Sequence, residues 1–94
     1  MFEIRIGEDG IVHLSGRLDA SQVEKAEAVL RTIDRSIVAD LGGLEYLSSA
    51  GIGLLVHTYK RLNESGQSIR LTNLTPRIKN IFHYAGLEKL FQVE

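Results

Sequence analysis

The stretch of sequence that decides the fold is Asp40-Leu41-Gly42-Gly43-Leu44-Glu45-Tyr46-Leu47-Ser48-Ser49-Ala50-Gly51-Ile52-Gly53. It begins within an almost continuous apolar run, residues 37–41, which is typical of a strand covered on both faces and which Gly42 and Gly43 are expected to end. Small and polar residues then lead into a helix predicted from about Ala50 to about Glu64, where apolar residues recur at helical spacing. The stretch therefore predicts the passage from a buried strand into a helix with a nearly bare start.

On the N-terminal side of this stretch, alternating apolar residues predict two strands, residues 2–6 and 11–14, joined by a short turn bounded by glycines. A turn of this length implies an antiparallel hairpin. A helix is expected next, with Asp19 as its cap and Gln22 completing a capping box.

On the C-terminal side, residues 68–72 and 90–93 predict strands, and Thr75 followed by Pro76 predicts the start of a third helix that Gly86 ends. The predicted order is β-β-α-β-α-β-α-β. Since helices alternate with strands after the hairpin, the later strands should be parallel. We therefore predict a single α/β domain over residues 1–94, with a mixed sheet, an N-terminal antiparallel hairpin, later strands parallel, and helices packed against the sheet.

The composition narrows the classes of function. The chain has 94 residues, no cysteine and a formal net charge of -1. Without cysteine there can be no disulfide scaffold, cysteine nucleophile or thiolate metal site, and without a basic excess direct binding to nucleic acid is not expected. There is no basic leader, and the apolar runs fall far short of the ~20 residues that span a bilayer. We expect a cytoplasmic protein with no membrane insertion.

Catalytic and metal-binding patterns are not evident either. His13, His57 and His83 match no triad or metal spacing, and Ser49 lacks a Gly-x-Ser-x-Gly elbow. We therefore expect no catalytic residues, no bound metal and no cofactor. One hypothesis to set against this expectation is a small hydrolase that acts through Ser49. Labelling of Ser49 by a serine-directed covalent inhibitor would support it.

The start of the second predicted helix is the candidate site. Ser49 as its N-cap would place a hydroxyl beside unsatisfied backbone N–H groups, where a phosphate would be well stabilised. Gly51 and Gly53 weaken this helix locally, by roughly 1 kcal/mol each against alanine, so close packing or an approaching partner must offset the cost. From the residues alone, Ser49 is either a simple cap or a phosphate acceptor on a docking face.

The same stretch resembles the signature of STAS domains, the family of bacterial anti-sigma-factor antagonists. The family pattern is a strand ending in Asp-Leu, a short loop, a hydrophobic residue, Asp-Ser-Ser/Thr-Gly-Leu-Gly and then a helix. Residues 14–19 and 74–91 resemble flanking segments of the same family. Two positions depart from the pattern: Ser48 stands where the antagonists usually have aspartate, and Ala50 stands where they have a second Ser or Thr.

The resemblance implies a regulatory protein-binding module, not an enzyme, in which Ser49 is the phosphorylated serine and Ser48 the second candidate. It implies a partner-binding face made of Asp19, Ser48, Ala50, Gly51, Ile52 and Gly53. The implied partners are an anti-sigma factor with serine kinase activity, whose binding would release a sigma factor and so regulate transcription, and a serine phosphatase. The alternative is a STAS scaffold subunit that binds a transporter or signalling complex without being phosphorylated, which the departures at Ser48 and Ala50 favour.

Overall fold

The computed structural model describes residues 1–87 and 89–93 and has the predicted order of strands and helices. Its elements are β1 (Phe2–Ile6), β2 (Ile11–Leu18), a 3-10 turn (Ala20–Gln22), α1 (Val23–Leu30), β3 (Ile37–Leu47), α2 (Ser49–Glu64), β4 (Ile69–Thr72), α3 (Pro76–Tyr84) and β5 (Gln92–Val93). The β2 strand extends four residues beyond the predicted 11–14, passing through Gly16, whose φ is 84°.

The strands form one mixed sheet in the order β1-β2-β3-β4-β5. β1 and β2 are antiparallel, and each later pair of neighbours is parallel, which confirms the predicted architecture. Because right-handed crossovers between neighbouring strands all return over the same side, α1, α2 and α3 lie against one face of the sheet.

The core fills the space between this face and the helices. It contains side chains from the strands and the helices alike, among them Phe2, Leu14, Leu41, Leu71, Leu30, Leu55, Leu62 and Phe82. On the opposite face of the sheet lie the polar residues that alternate with the buried apolar ones along a strand. In β4, for example, Arg70 and Thr72 are partly exposed, whereas Ile69 and Leu71 are buried. The prediction that the third strand is covered on both faces was therefore wrong. Within it Ala39 is buried, but Val38 and Asp40 are partly exposed.

The third strand also runs six residues further than predicted, to Leu47 instead of Leu41. Gly42 and Gly43 do not end it, because pairing with β2 continues from Gly43, opposite Ser15, to the end of both strands, with register shifts along the way. A Cβ atom on Gly43 would stand only 2.8 Å from the Ser15 Cβ. The glycines here permit an irregular strand to approach its neighbour closely.

The helix ends follow most of the predicted signals. The Thr75 hydroxyl accepts a hydrogen bond from the Ile78 N–H, Pro76 is the first residue of α3, and Gly86 has a φ of 72° after that helix. The predicted capping box at Asp19 does not form. The 3-10 turn places Gln22 immediately before α1, and its side chain makes no capping hydrogen bond.

Candidate partner-binding site

The candidate site lies where β2 and β3 end side by side. Leu18 is paired with Leu47, and the Ser48 N–H donates to the Leu18 carbonyl at 2.9 Å. Asp19 follows Leu18 directly, so the structure brings Asp19 to the same edge of the sheet as the start of α2. In open α/β sheets this edge, at the carboxyl ends of parallel strands, is the usual place for binding sites.

Ser48, and not Ser49, is the N-cap of α2. Its backbone is extended, with φ -80° and ψ 169°, and its hydroxyl accepts a hydrogen bond from the Gly51 N–H at 3.1 Å. Its carbonyl accepts the first intrahelical bond, from Ile52 N–H at 2.8 Å. The prediction that Ser49 caps the helix was wrong by one residue. Two adjacent serines are equally good caps. The hydrogen bond from the Ser48 N–H to β2 determines that Ser48 is the one that caps α2.

Ser49 is consequently the first residue of the helix itself, and its side chain is exposed. Ala50 beside it is exposed too, and the sequence of α2 holds no acidic residue before Glu64. The positive end of the helix dipole is therefore not balanced by a carboxylate from the helix's own first turn. An incoming anion would be favoured here, and the small side chains leave room for it.

The two glycines of this helix start serve different purposes. Gly51 is buried, and a Cβ atom there would lie 2.8 Å from Leu47 Cδ1, 2.9 Å from Leu18 Cγ and 3.0 Å from the Leu18 carbonyl oxygen. Gly51 thus allows α2 to sit tightly on the ends of β2 and β3. Gly53 is exposed, and none of the described atoms comes within 4 Å of the position its Cβ would take. Close packing explains Gly51 but not Gly53.

Ile52 lies between the two glycines and is half-buried against the core. Its remaining exposed part adds a small apolar area to the surface formed by Ser49, Ala50 and Gly53. We call these four residues, 49, 50, 52 and 53, the α2 start surface. Of the residues predicted to bind a partner, Ser48 and Gly51 chiefly support this surface, because the hydroxyl of one and the backbone of the other are engaged within the fold.

Asp19 contributes a fixed negative charge at the edge of the site. The Ser21 hydroxyl donates to Asp19 Oδ1 at 2.6 Å and the Ser21 N–H donates at 3.1 Å. These hydrogen bonds, the side-chain one foremost and with help from the nearby Arg17, lower the pKa of the Asp19 carboxyl despite its partial desolvation. The carboxylate is held in place by its own turn and stays ionised at neutral pH.

Arg61 is a positioning residue that the sequence did not indicate. Arg61 lies in the last turn of α2, where a basic side chain favours the negative end of the helix dipole. In the structure its guanidinium leaves α2, donating from Nη2 to the Leu30 carbonyl and from Nη1 to the Ile33 carbonyl, each at 2.9 Å. These two hydrogen bonds connect the end of α1 to α2. One guanidinium can bond both carbonyl groups because it carries five N–H donors. Only the long-range packing of the helices reveals this role.

Other kinds of site find little support among the described residues. No group of three or more histidine or acidic side chains in residues 1–87 and 89–93 is placed to hold a metal ion. Across the same part of the chain, every helix is too short or too polar to cross a membrane.

Comparison with known proteins assigns the chain to a family of regulators. A family model described as "Mlab, STAS domain" matches residues 3–92. The anti-sigma-B factor antagonist of Staphylococcus aureus (strain NCTC 8325 / PS 47) is 33% identical over 86 residues, which cover 87% of this chain and 80% of that protein.

Solved structures show the same fold. An anti-sigma factor antagonist from Mycobacterium paratuberculosis superposes with a TM-score of 0.82 and 22% identity, covering 99% of this chain and 83% of its own. The Bacillus cell fate determinant SpoIIAA in its phosphorylated form superposes with a TM-score of 0.71 and 22% identity, covering 100% of this chain and 91% of that one.

Proposed function

Because the chain belongs to the STAS domain family, we propose that it is an anti-sigma-factor antagonist, a regulatory module and not an enzyme. In this proposal the α2 start surface, flanked by Asp19, binds an anti-sigma factor that is also a serine kinase. The kinase then phosphorylates Ser49, the complex dissociates, and a serine phosphatase restores the binding form.

The antagonist role is supported by the relatives. The Staphylococcus aureus protein, which shares a third of its aligned residues with this chain, is named for antagonising an anti-sigma-B factor. One of the solved neighbours is described in a phosphorylated form, so phosphorylation occurs within this fold.

The observation that carries the choice of Ser49 is its place as the exposed first residue of α2, beside the exposed Ala50 and in a first turn with no acidic side chain. Ser48 is a poorer acceptor, because its hydroxyl already receives the Gly51 N–H as the helix cap. Modifying Ser48 would require that cap to open. Gly53, which no contact with the described atoms explains, keeps the surface flat where a partner would approach.

Phosphorylation at this position would act on the surface and leave the fold intact. A phosphoserine adds about -1.5 to -2 charges at neutral pH. At the N-terminus of a helix these charges are stabilising, typically by 0.3–1 kcal/mol, so α2 should remain folded. A partner that buries the α2 start surface would instead have to desolvate the new charge, which costs binding free energy.

Ser48 in place of the family's aspartate keeps the helix cap but changes the charge beside Ser49. Serine and aspartate are comparable N-caps, so the helix start is preserved while one negative charge beside Ser49 is removed. The kinase would therefore meet a less acidic acceptor site in this protein than in antagonists that keep the aspartate.

The second candidate function is the STAS scaffold subunit that binds a transporter or signalling complex without phosphorylation. Ser48 and Ala50, which differ from the residues usual in the antagonists, are the observation that favours it. In that case the same α2 start surface binds the partner permanently.

The test is to incubate the protein with the serine-kinase anti-sigma factor encoded in the same genome and ATP, and to locate the phosphate by mass spectrometry. We expect modification at Ser49, its loss in Ser49→Ala, and its retention in the matched control Ser48→Ala. Phosphate on another residue, or continued modification of Ser49→Ala, would disprove the switch. A stable partner complex that Ser49→Asp leaves unchanged would favour the scaffold.

A further inference from the structure

The β1 strand (Phe2–Ile6) lies at the end of the strand order, and β2 is its only partner strand within residues 1–87 and 89–93. The Arg17 N–H donates to the Met1 carbonyl, and the Gly7 N–H donates to the Ile11 carbonyl. These bonds show that the odd-numbered residues turn their backbone groups toward β2. In an antiparallel pair the alternate residues then turn theirs away, so Phe2, Ile4 and Ile6 direct N–H and C=O groups to the open edge.

The side chains of β1 form a pattern that complements itself. Along Phe2-Glu3-Ile4-Arg5-Ile6, apolar residues alternate with one acid and one base placed symmetrically about Ile4. If a second copy of the strand lies antiparallel with Ile4 opposite Ile4, each Glu3 lies opposite an Arg5. Since Ile4 presents outward backbone groups, it forms a hydrogen-bonded pair. Glu3 and Arg5 then occupy the closer non-hydrogen-bonded position, with about 4.5 Å between Cα atoms.

We propose that this chain self-associates through β1, forming a two-fold symmetric dimer in which the two sheets join edge to edge in this register. The charges also exclude the neighbouring registers. A shift of two residues in one direction places Glu3 opposite Glu3, and in the other direction Arg5 opposite Arg5. Like charges directly opposite each other destabilise a strand pair.

Exposure of the strand agrees with this arrangement. Glu3 and Arg5 are both exposed on the helix-free face. Ile6 is one of the few large apolar side chains on the described surface, 49% exposed, and in the dimer it would lie opposite the Phe2 of the second copy. Association would therefore cover an apolar side chain that the single chain leaves in water.

Lys25 makes the association weak and reversible. Its ammonium donates to the Phe2 carbonyl at 2.7 Å and lies 3.7 Å from Glu3 Oε1, so it covers one outward group of the edge. Lysines at strand edges commonly limit pairing in this way. The lysine side chain is half exposed and must release the carbonyl before the Ile6 N–H of the second copy can take it. A two-fold contact uses both β1 edges, so growth at this edge stops at the dimer.

The test exchanges the charges of Glu3 and Arg5 in the 94-residue chain. Sedimentation equilibrium from about 10 µM to 1 mM should show a monomer–dimer equilibrium, and Glu3→Arg or Arg5→Glu alone should each weaken it about tenfold, because like charges then face each other. An equimolar mixture of the two variants should recover dimerisation, with the heterodimer mass seen by native mass spectrometry. Glu27→Arg, an exposed substitution on α1 with the same change in charge as Glu3→Arg, should leave the equilibrium unchanged.

Recovery in the mixture cannot arise from a fault in either folded variant, so it isolates the Glu3–Arg5 contact. A wild-type chain that stays monomeric over the whole range would overturn the proposal. So would a mixture that associates no better than its components. Neither result bears on the α2 start surface.

Discussion

Adding a single methyl group at Gly51 perturbs the tightest contact of α2 with the sheet. The Cβ atom of Gly51→Ala would lie 2.8 Å from Leu47 Cδ1, 2.9 Å from Leu18 Cγ and 3.0 Å from the Leu18 carbonyl oxygen. The two leucine side chains can adjust, but the carbonyl belongs to β2 and accepts the Ser48 N–H, so it cannot move without disturbing the helix start.

The magnitude follows from two opposing effects. Overpacking of a filled core costs typically 1–3 kcal/mol, and the immobile carbonyl places this site near the upper value. Alanine returns about 1 kcal/mol of helix propensity relative to glycine. We therefore expect Gly51→Ala to lower the free energy of unfolding by about 2 kcal/mol, which in a domain of this size lowers Tm by roughly 10 °C.

Gly53→Ala, two residues along the same helix, is the matched control. Its new methyl group would meet none of the described atoms within 4 Å, so only the helix propensity changes. We expect it to be more stable than the wild type by up to about 1 kcal/mol. Urea unfolding followed by far-ultraviolet circular dichroism measures both variants. A Gly51→Ala protein as stable as Gly53→Ala would refute the packing argument.

Three further predictions concern Ser48 and Asp19 at the site and Arg61 at the far end of α2. Ser48→Ala should cost about 1 kcal/mol in urea unfolding by removing the cap of α2, whereas Ser48→Asp, which keeps a cap, should not; equal losses in both would contradict the assignment. Asp19 has a lower pKa in the folded than in the unfolded protein, so its stabilising contribution is complete above the unfolded value near 3.8 and disappears as the pH falls through the folded value. Stability measured against pH should therefore converge with that of Asp19→Asn below about pH 4, and curves that stay parallel would refute this. Arg61→Lys should lose about 1–2 kcal/mol, because an ammonium cannot reach both the Leu30 and Ile33 carbonyls in the same way, and hydrogen exchange should quicken at the end of α1. Unchanged exchange there would argue against the tie.

The sequence predicted the order of the elements because each helix and strand is locally consistent. Thr75 and Pro76 combine a cap with a fixed φ, and Gly86 supplies the left-handed residue after α3, so no distant contact was needed to place that helix. The extent of β3 could not be predicted in the same way. Glycine usually interrupts a strand, and only the close approach of Gly43 to Ser15 on another strand shows why it is required within this one.

The start of α2 was predicted to within one residue. Ser48 and Ser49 have the same capping chemistry, and the long-range bond from Ser48 to Leu18 that distinguishes them is absent from any local pattern. The different purposes of Gly51 and Gly53 were hidden for the same reason. The uncovered face of β3 was missed because Val38 makes the run 37–41 look apolar throughout, although Asp40 shares its face.

The most direct test of the α2 start surface as a phosphorylation-controlled docking face is a comparison of two binding constants. Isothermal titration calorimetry would measure the affinity of the serine-kinase anti-sigma factor for the unmodified protein and for protein phosphorylated at Ser49, both with ADP present. We predict that the phosphate weakens binding at least tenfold, a loss of 1.4 kcal/mol or more. Equal affinities for the two forms would contradict the central claim, even if Ser49 proved to be the residue that the kinase modifies.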